Sequence, residues 1–166
     1  MSNWCSNKLT ITGNKENLKM FKEQVRGVET DMCINNLVPM PKELEGTTSP
    51  GDKYNWYDWR IRNWGIQWDV EARLVDESED VLIYQFESHW CPPYNFVRKI
   101  APMFPDLSFD LYYKEPGMCF QGTIFAQKDL FVNQEEDYFE EMDIPEEELD
   151  EVCEDVLDVI SITRRE

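Results

Sequence analysis

Between Cys5 and Ala126 the apolar side chains change their spacing along the chain, and the order of those changes limits the folds open to it. Cys5, Asn7, Leu9 and Ile11 share one parity, with Ser6, Lys8, Thr10 and Thr12 on the other. A period of two with β-branched residues predicts a strand, and Gly13-Asn14 stops it. Leu18, Phe21, Val25 and Val28 then recur at three- and four-residue steps, opposite Lys19, Lys22 and Glu23. That spacing predicts an amphipathic helix starting near Asn14 or Lys15 and ending near Gly27. Period two returns in Trp68, Val70, Ala72 and Leu74, and again in Leu82, Tyr84 and Phe86, on either side of a polar run from Asp76 to Asp80. Two strands around a short polar turn predict an antiparallel hairpin. Pro92-Pro93 ends the second strand and opens a helix, because proline is tolerated in a first helical turn. Its apolar stripe is Phe96, Ile100 and Phe104, with Val97 and Ala101 beside it, and Pro105-Asp106 stops it. Leu107, Phe109, Leu111 and Tyr113 make a further strand. Pro116-Gly117 is a turn, and Phe120, Gly122, Ile124 and Ala126 make a last strand.

The order is strand, helix, strand, strand, helix, strand, plus one hairpin strand. This is the split β-α-β plan of ferredoxin-like α+β folds, with two helices on one face of an antiparallel sheet. The domain is expected to span 1–128, with an insertion at 30–67 and an acidic segment at 129–166.

The insertion has no sustained periodicity. Leu37-Val38-Pro39-Met40-Pro41 is broken by prolines, and Gly46 to Gly51 is a loop by composition. Aromatics then gather at Tyr54, Trp56, Tyr57, Trp59, Trp64 and Trp68, and Gly65 between two tryptophans predicts a sharp turn. A loop this long is uncommon unless it is packed or functional. Two readings of it stay open. Trp56, Trp59, Arg60, Arg62 and Trp64 form either a structural cluster or a surface that stacks single-stranded bases or a nucleotide. The basic, glycine and aromatic run of RNA-binding modules is absent.

Charge separates the two parts of the chain. The whole carries −18, and the 38 residues from Asp129 to Glu166 hold 16 acidic and 2 basic residues. Such a field repels nucleic acid and favours a basic partner. Asp143-Ile144-Pro145-Glu146 resembles a capping box, and Leu149, Val152, Cys153, Val156, Leu157 and Ile160 form a stripe. An amphipathic acidic helix is therefore expected at about 146–160. Its stripe would bury against its own domain, a second copy in a homodimer, or a partner protein. The odd number of cysteines (Cys5, Cys33, Cys91, Cys119, Cys153) and the absence of CxxC pairs argue for a reducing, cytoplasmic setting. No stretch is long or apolar enough to span a membrane, and no leader precedes Ser2.

Catalytic signals are sparse. His89 and Cys91 would share a face in a continuing strand, and such a pair can make a thiolate nucleophile. Two prolines follow it and no glycine-rich oxyanion element does, so a structural role is expected for both. One histidine and dispersed cysteines predict no metal site. The seven glycines form no phosphate loop, and no cofactor is expected.

Several stretches resemble the Api92-like/YubB family of phage, prophage and plasmid proteins. They are Asn3 to Gly13, Leu37-Val38-Pro39-Met40-Pro41, Asn63-Trp64-Gly65 with Trp68-Asp69, Trp90 with Pro92-Pro93, and Tyr113 through Glu115-Pro116-Gly117 to Phe120 and Gly122. The resemblance covers roughly Met1 to Ala126. Ser2 stands where the family usually has proline and Cys91 where serine is more typical, while Glu45 to Tyr57 and the acidic segment look particular to this chain. The resemblance implies a ferredoxin-like domain and a mobile-element origin in a bacterial host, and it supplies no catalytic residues. With the charge pattern, it leads to the expectation of a non-enzymatic protein that inhibits a host protein. A defence nuclease such as a CRISPR effector, with a basic groove, is the expected target of such a nucleic-acid mimic, in other words of an anti-CRISPR protein. The acidic contacts would be Glu135, Glu136, Asp137, Glu140, Glu141, Asp143, Glu146, Glu147, Glu148, Asp150, Glu151, Glu154, Asp155 and Asp158.

Overall fold

The computed structural model describes residues 3–137. The expected C-terminal helix, its role in a homodimer and the acidic residues from Glu140 onward lie outside them. The elements run β1 (Trp4–Thr12), α1 (Lys15–Val25), α2 (Ile34–Leu37), a 3₁₀ turn (Lys42–Leu44), α3 (Trp56–Asn63), β2 (Arg73–Glu77), β3 (Val81–His89), α4 (Tyr94–Met103), β4 (Ser108–Glu115), β5 (Phe120–Gln127) and β6 (Leu130–Asp137).

All strands join one antiparallel sheet in the order β2-β3-β1-β4-β5-β6. Its first four strands are the ferredoxin-like arrangement. β1 and β2 flank β3, and β3 and β4 flank β1, so each β-α-β unit is split by a strand of the other. β5 and β6 extend the sheet beyond β4 as a meander.

Alternation in β1, β3 and β4 sends Leu9, Ile11, Leu82, Tyr84, Phe109, Leu111 and Tyr113 to one face, all buried. That face is covered by Leu18, Phe21 and Val25 of α1 and by Phe96, Val97, Ile100 and Ala101 of α4. Phe21 sits at the centre, with ring centroids 6.3 Å from Tyr84, 5.1 Å from Phe104 and 5.7 Å from Phe109. The Asn14 side chain caps α1 by accepting from Asn17 N at 2.9 Å, as its position before the periodic run requires.

The strand expected from Trp68 begins only at Arg73. Val70 and Ala72 are buried as their parity predicts, but no strand pairs with this stretch. Its backbone bonds to the residues after α1 instead. Asp31 N donates to Ala72 O at 3.0 Å, Ala72 N to Thr30 Oγ1 at 2.8 Å, and Leu74 N to Asp31 Oδ2 at 2.8 Å. β2 also runs on through Asp76 and Glu77, past a register shift at Val75, so the turn is shorter than the polar run suggested.

The expected boundary after Lys128 falls in the β5–β6 turn. Leu130–Asp137 belongs to the sheet, with Phe131 paired to Ala126 and Glu135 to Gly122. Its residues are mostly exposed and do not alternate in polarity, because an edge strand draws its order from backbone pairing and packs little.

Candidate functional site

The insertion folds around Asp69 and Trp64. Asp69 accepts from Ile34 N at 2.8 Å, Asn35 N at 3.0 Å and Val70 N at 2.8 Å, and Cys33 Sγ donates to it at 3.2 Å. One carboxylate thus caps the N-terminus of α2 and ties the start of the insertion to its close. Trp64 is 1% exposed, and its indole N–H donates to Val38 O at 2.8 Å. Gly65 turns the chain at φ +88°, the left-handed conformation expected between the tryptophans. A β-carbon there would meet Tyr94 N at 3.0 Å, so the glycine also admits the start of α4.

Arg60 lies over the rings of Trp56, Trp64 and Trp68 at 5.1, 4.9 and 5.9 Å, and its Nη1 donates to Gln67 O at 3.1 Å. Burial lowers its pKa, and the Asp69 charge works the other way. Trp59 meets Trp64 edge-on at 5.9 Å, and Arg62 is exposed. Of Trp56, Trp59, Arg60, Arg62 and Trp64, expected as a cluster or a stacking surface, Trp64 is buried, Arg60 lies over the rings, Trp56 and Trp59 are partly exposed and Arg62 is exposed. These rings pack on one another and on a guanidinium, a cation–π arrangement that holds the loop.

The described part of the acidic segment is also partly committed. Glu135 Oε2 accepts from the Tyr94 and Tyr113 hydroxyls, each at 2.9 Å, and Tyr113 Oη lies 2.8 Å from Asn133 Oδ1. Burial, and then the hydrogen bond to this carboxylate, raises both phenols, Tyr113 to about 12. Gln121 Nε2 donates to Glu136 Oε1 at 2.8 Å. Glu135 therefore serves the fold, while Glu136 and Asp137 stand exposed on the sheet edge.

His89 and Cys91 do not form a pair. The strand ends at His89 and Trp90 takes φ 70°, which turns the chain. His89 stacks on Trp4 with centroids 4.2 Å apart, while Cys91 Sγ donates to Gly65 O at 3.3 Å. Burial, and then the Glu135 charge, pushes the Cys91 thiol up, away from the thiolate that nucleophilic chemistry needs. Among the described residues no group of three or more His, Cys, Asp or Glu side chains is placed to hold a metal ion. No helix among them is long and apolar enough to cross a membrane.

A concavity exists elsewhere. The sheet face opposite the helices carries a groove of about 840 Å³. β1 supplies Trp4, Ser6 and Lys8, β3 supplies Gln85, Glu87 and His89, and β4 supplies Tyr112 and Lys114. Trp68, Asp69, Glu71 and Arg73 wall one side on the approach to β2. Sequence reasoning missed this set. The signal was in the second parity of β1, where Trp4 and Lys8 alternate with the buried Cys5, Asn7 and Leu9.

The sheet order, the two covering helices and the open face define a ferredoxin-like domain. A family model described as the ferredoxin-like domain in Api92-like protein matches residues 63–158. This chain belongs to that Api92-like family. Among solved structures it is similar to the crystal structure of a protein api92 from Yersinia pseudotuberculosis, with a TM-score of 0.59 at 11% identity. That likeness covers 86% of this chain and 100% of the other. A comparison with the curated proteins finds no match.

Proposed function

We propose that this chain is a non-enzymatic accessory protein of a phage or related mobile element that binds and blocks a basic host protein. The target class is a defence nuclease, a CRISPR effector among them, whose nucleic-acid groove the acidic segment occupies. The observation that carries this reading is the segregation of charge, 16 acidic against 2 basic residues from Asp129 onward. The fold supports it through where that segment starts. β6 is an edge strand, and Glu136 and Asp137 emerge from it exposed. A dense row of carboxylates competes with nucleic-acid phosphates for the same lysines and arginines. Leu130 and Val132 on the same strand are exposed and offer apolar contact beside the charge.

The test is inhibition of purified CRISPR effector nucleases by the full chain, by a chain ending at Asp137, and by a full chain with the acids from Glu140 to Asp158 changed to amides. Inhibition by the full chain that competes with guide or target nucleic acid, weakens steeply with salt and is lost in the other two supports the reading. Equal inhibition by the amide variant ends it.

A further inference from the structure

We propose that the outer edge of β6 binds an extended, basic segment of a partner protein, which adds to the sheet as a further strand. The partner's charge rests on the reading above, and the mode of binding goes beyond it. The two edges of the sheet are built differently. β2 has five residues, a register shift between Leu74 and Asp76, and a backbone N–H at Leu74 that donates to Asp31 Oδ2 at 2.8 Å. Lys22 pairs with Glu77 beside it at 2.8 Å. A short, bulged and charged edge of this kind resists a further strand. β6 has eight residues in unbroken register with β5, from Leu130 opposite Gln127 to Asp137 opposite Phe120. It holds no proline and no lysine, and among the described residues no strand pairs with its outer side. About half of the N–H and C=O groups of such a strand point away from its one neighbour, and they are a template for strand addition.

The strand is also fastened from the helix side. Arg98 of α4 lies 4.2 Å from the Phe131 ring centroid, and the Tyr94 and Tyr113 hydroxyls donate to Glu135, each at 2.9 Å. An edge held in this way loses little freedom when a partner pairs with it. Side chains then choose the occupant. Leu130 and Val132 alternate with Phe131, so they lie on the open face; they are 54% and 41% exposed, and Val132 sits opposite the partly buried Phe125. At the other end of the strand Glu136 and Asp137 are exposed. An added strand therefore meets an apolar end and an acidic end, and fits with apolar residues against the first and Lys or Arg against the second. A second copy of this chain fits poorly, because each copy carries −18 and brings the same acidic edge.

The experiment titrates the full chain with the synthetic peptide Thr-Lys-Thr-Lys-Thr-Val-Thr-Val, read by calorimetry and by amide hydrogen exchange. Antiparallel addition sets its lysines towards Glu136 and its valines towards Val132 and Leu130. A saturable site with Kd below about 1 mM is expected, with slower exchange at the alternate β6 amides that face away from β5. N-methylation of the peptide is the decisive variant, and it leaves the protein intact. Only alternate residues of a strand bond to a given neighbour. Methyl groups on peptide amides of one parity should therefore weaken binding at least about tenfold, and on the other parity less than about twofold. Glu136→Lys with Asp137→Lys should weaken it about two- to tenfold and flatten its salt dependence. Equal tolerance of N-methylation at both parities overturns the proposal, in favour of diffuse attraction to the acidic segment. Absence of saturation by about 5 mM overturns it as well. So does protection of every β6 amide in the peptide-free chain, which means that residues 138–166 or a second copy already occupies the edge; sedimentation tells those two apart. Either N-methyl result leaves the nuclease-inhibition test of the acidic segment unchanged, so the two readings fail separately.

Discussion

Trp64 is the side chain on which the insertion depends most, and Trp64→Phe measures that dependence. The change keeps an aromatic ring but deletes the indole N–H that donates to Val38 O at 2.8 Å. That carbonyl sits in a buried setting, since Val38 is 7% and Trp64 1% exposed. Leaving it without a donor costs about 1–3 kcal/mol. The smaller ring also leaves a gap beside Trp59 and weakens the contact with Arg60 at 4.9 Å, together worth about 1–2 kcal/mol. A total near 2–5 kcal/mol lowers the melting temperature by roughly 5–20 °C for a chain of this size. Urea denaturation followed by far-ultraviolet circular dichroism gives the free energy without relying on the fluorophore that was removed. Tyr54→Phe, at an exposed ring in the same insertion, is the control and should change stability by less than about 0.5 kcal/mol. A loss below about 1 kcal/mol in Trp64→Phe would show that the indole hydrogen bond and the Arg60 sandwich do not hold the insertion on the domain.

Other outcomes follow from the same geometry. Gly65→Ala places a β-carbon at φ +88° and 3.0 Å from Tyr94 N, and should cost about 2 kcal/mol or more by chemical denaturation. Tyr113 and Cys5 are both pushed up to about 12, each first by burial. A raised folded pKa means that stability is intact below the unfolded values, near 8.5 for a thiol and 10 for a phenol, and falls as pH climbs towards 12. Melting temperatures measured from pH 8 to 11 should fall, and less steeply in Tyr113→Phe. A chain ending at Lys128 removes β6, including Phe131 with Arg98 4.2 Å from its ring centroid, whereas one ending at Asp137 keeps both. The shorter chain should be less stable by about 2 kcal/mol or more in urea.

Much of the fold was legible because its elements are local. Each strand and helix of the ferredoxin-like core announced itself by period, and the turns by Gly13-Asn14, Pro92-Pro93 and Pro116-Gly117. β6 was not legible. Leu130–Asp137 has neither alternation nor much burial, and only the exposed edge of β5 makes it a strand. The start of β2 was misplaced for a related reason. Alternation reports which side chains are buried and is silent on what the backbone bonds to, and between Trp68 and Ala72 the backbone partner is the stretch after α1.

The candidate sites divide in the same way. The sequence alone determined that the residues from Asp129 onward are strongly acidic, that four of the six tryptophans gather between residues 56 and 68, and that no metal or phosphate motif is written in it. Which aromatics are spent inside and which face outward was a tertiary decision. Trp64 and Trp68 differ by four positions and look equivalent in sequence, yet one is 1% and the other 47% exposed. The difference arises because Gly65 turns the chain against the start of α4, and that packing partner arrives some thirty residues later. Likewise Glu135 and Glu136 are neighbours of identical chemistry. The pleat of β6 aims one at two tyrosines from α4 and β4 and leaves the other exposed to solvent.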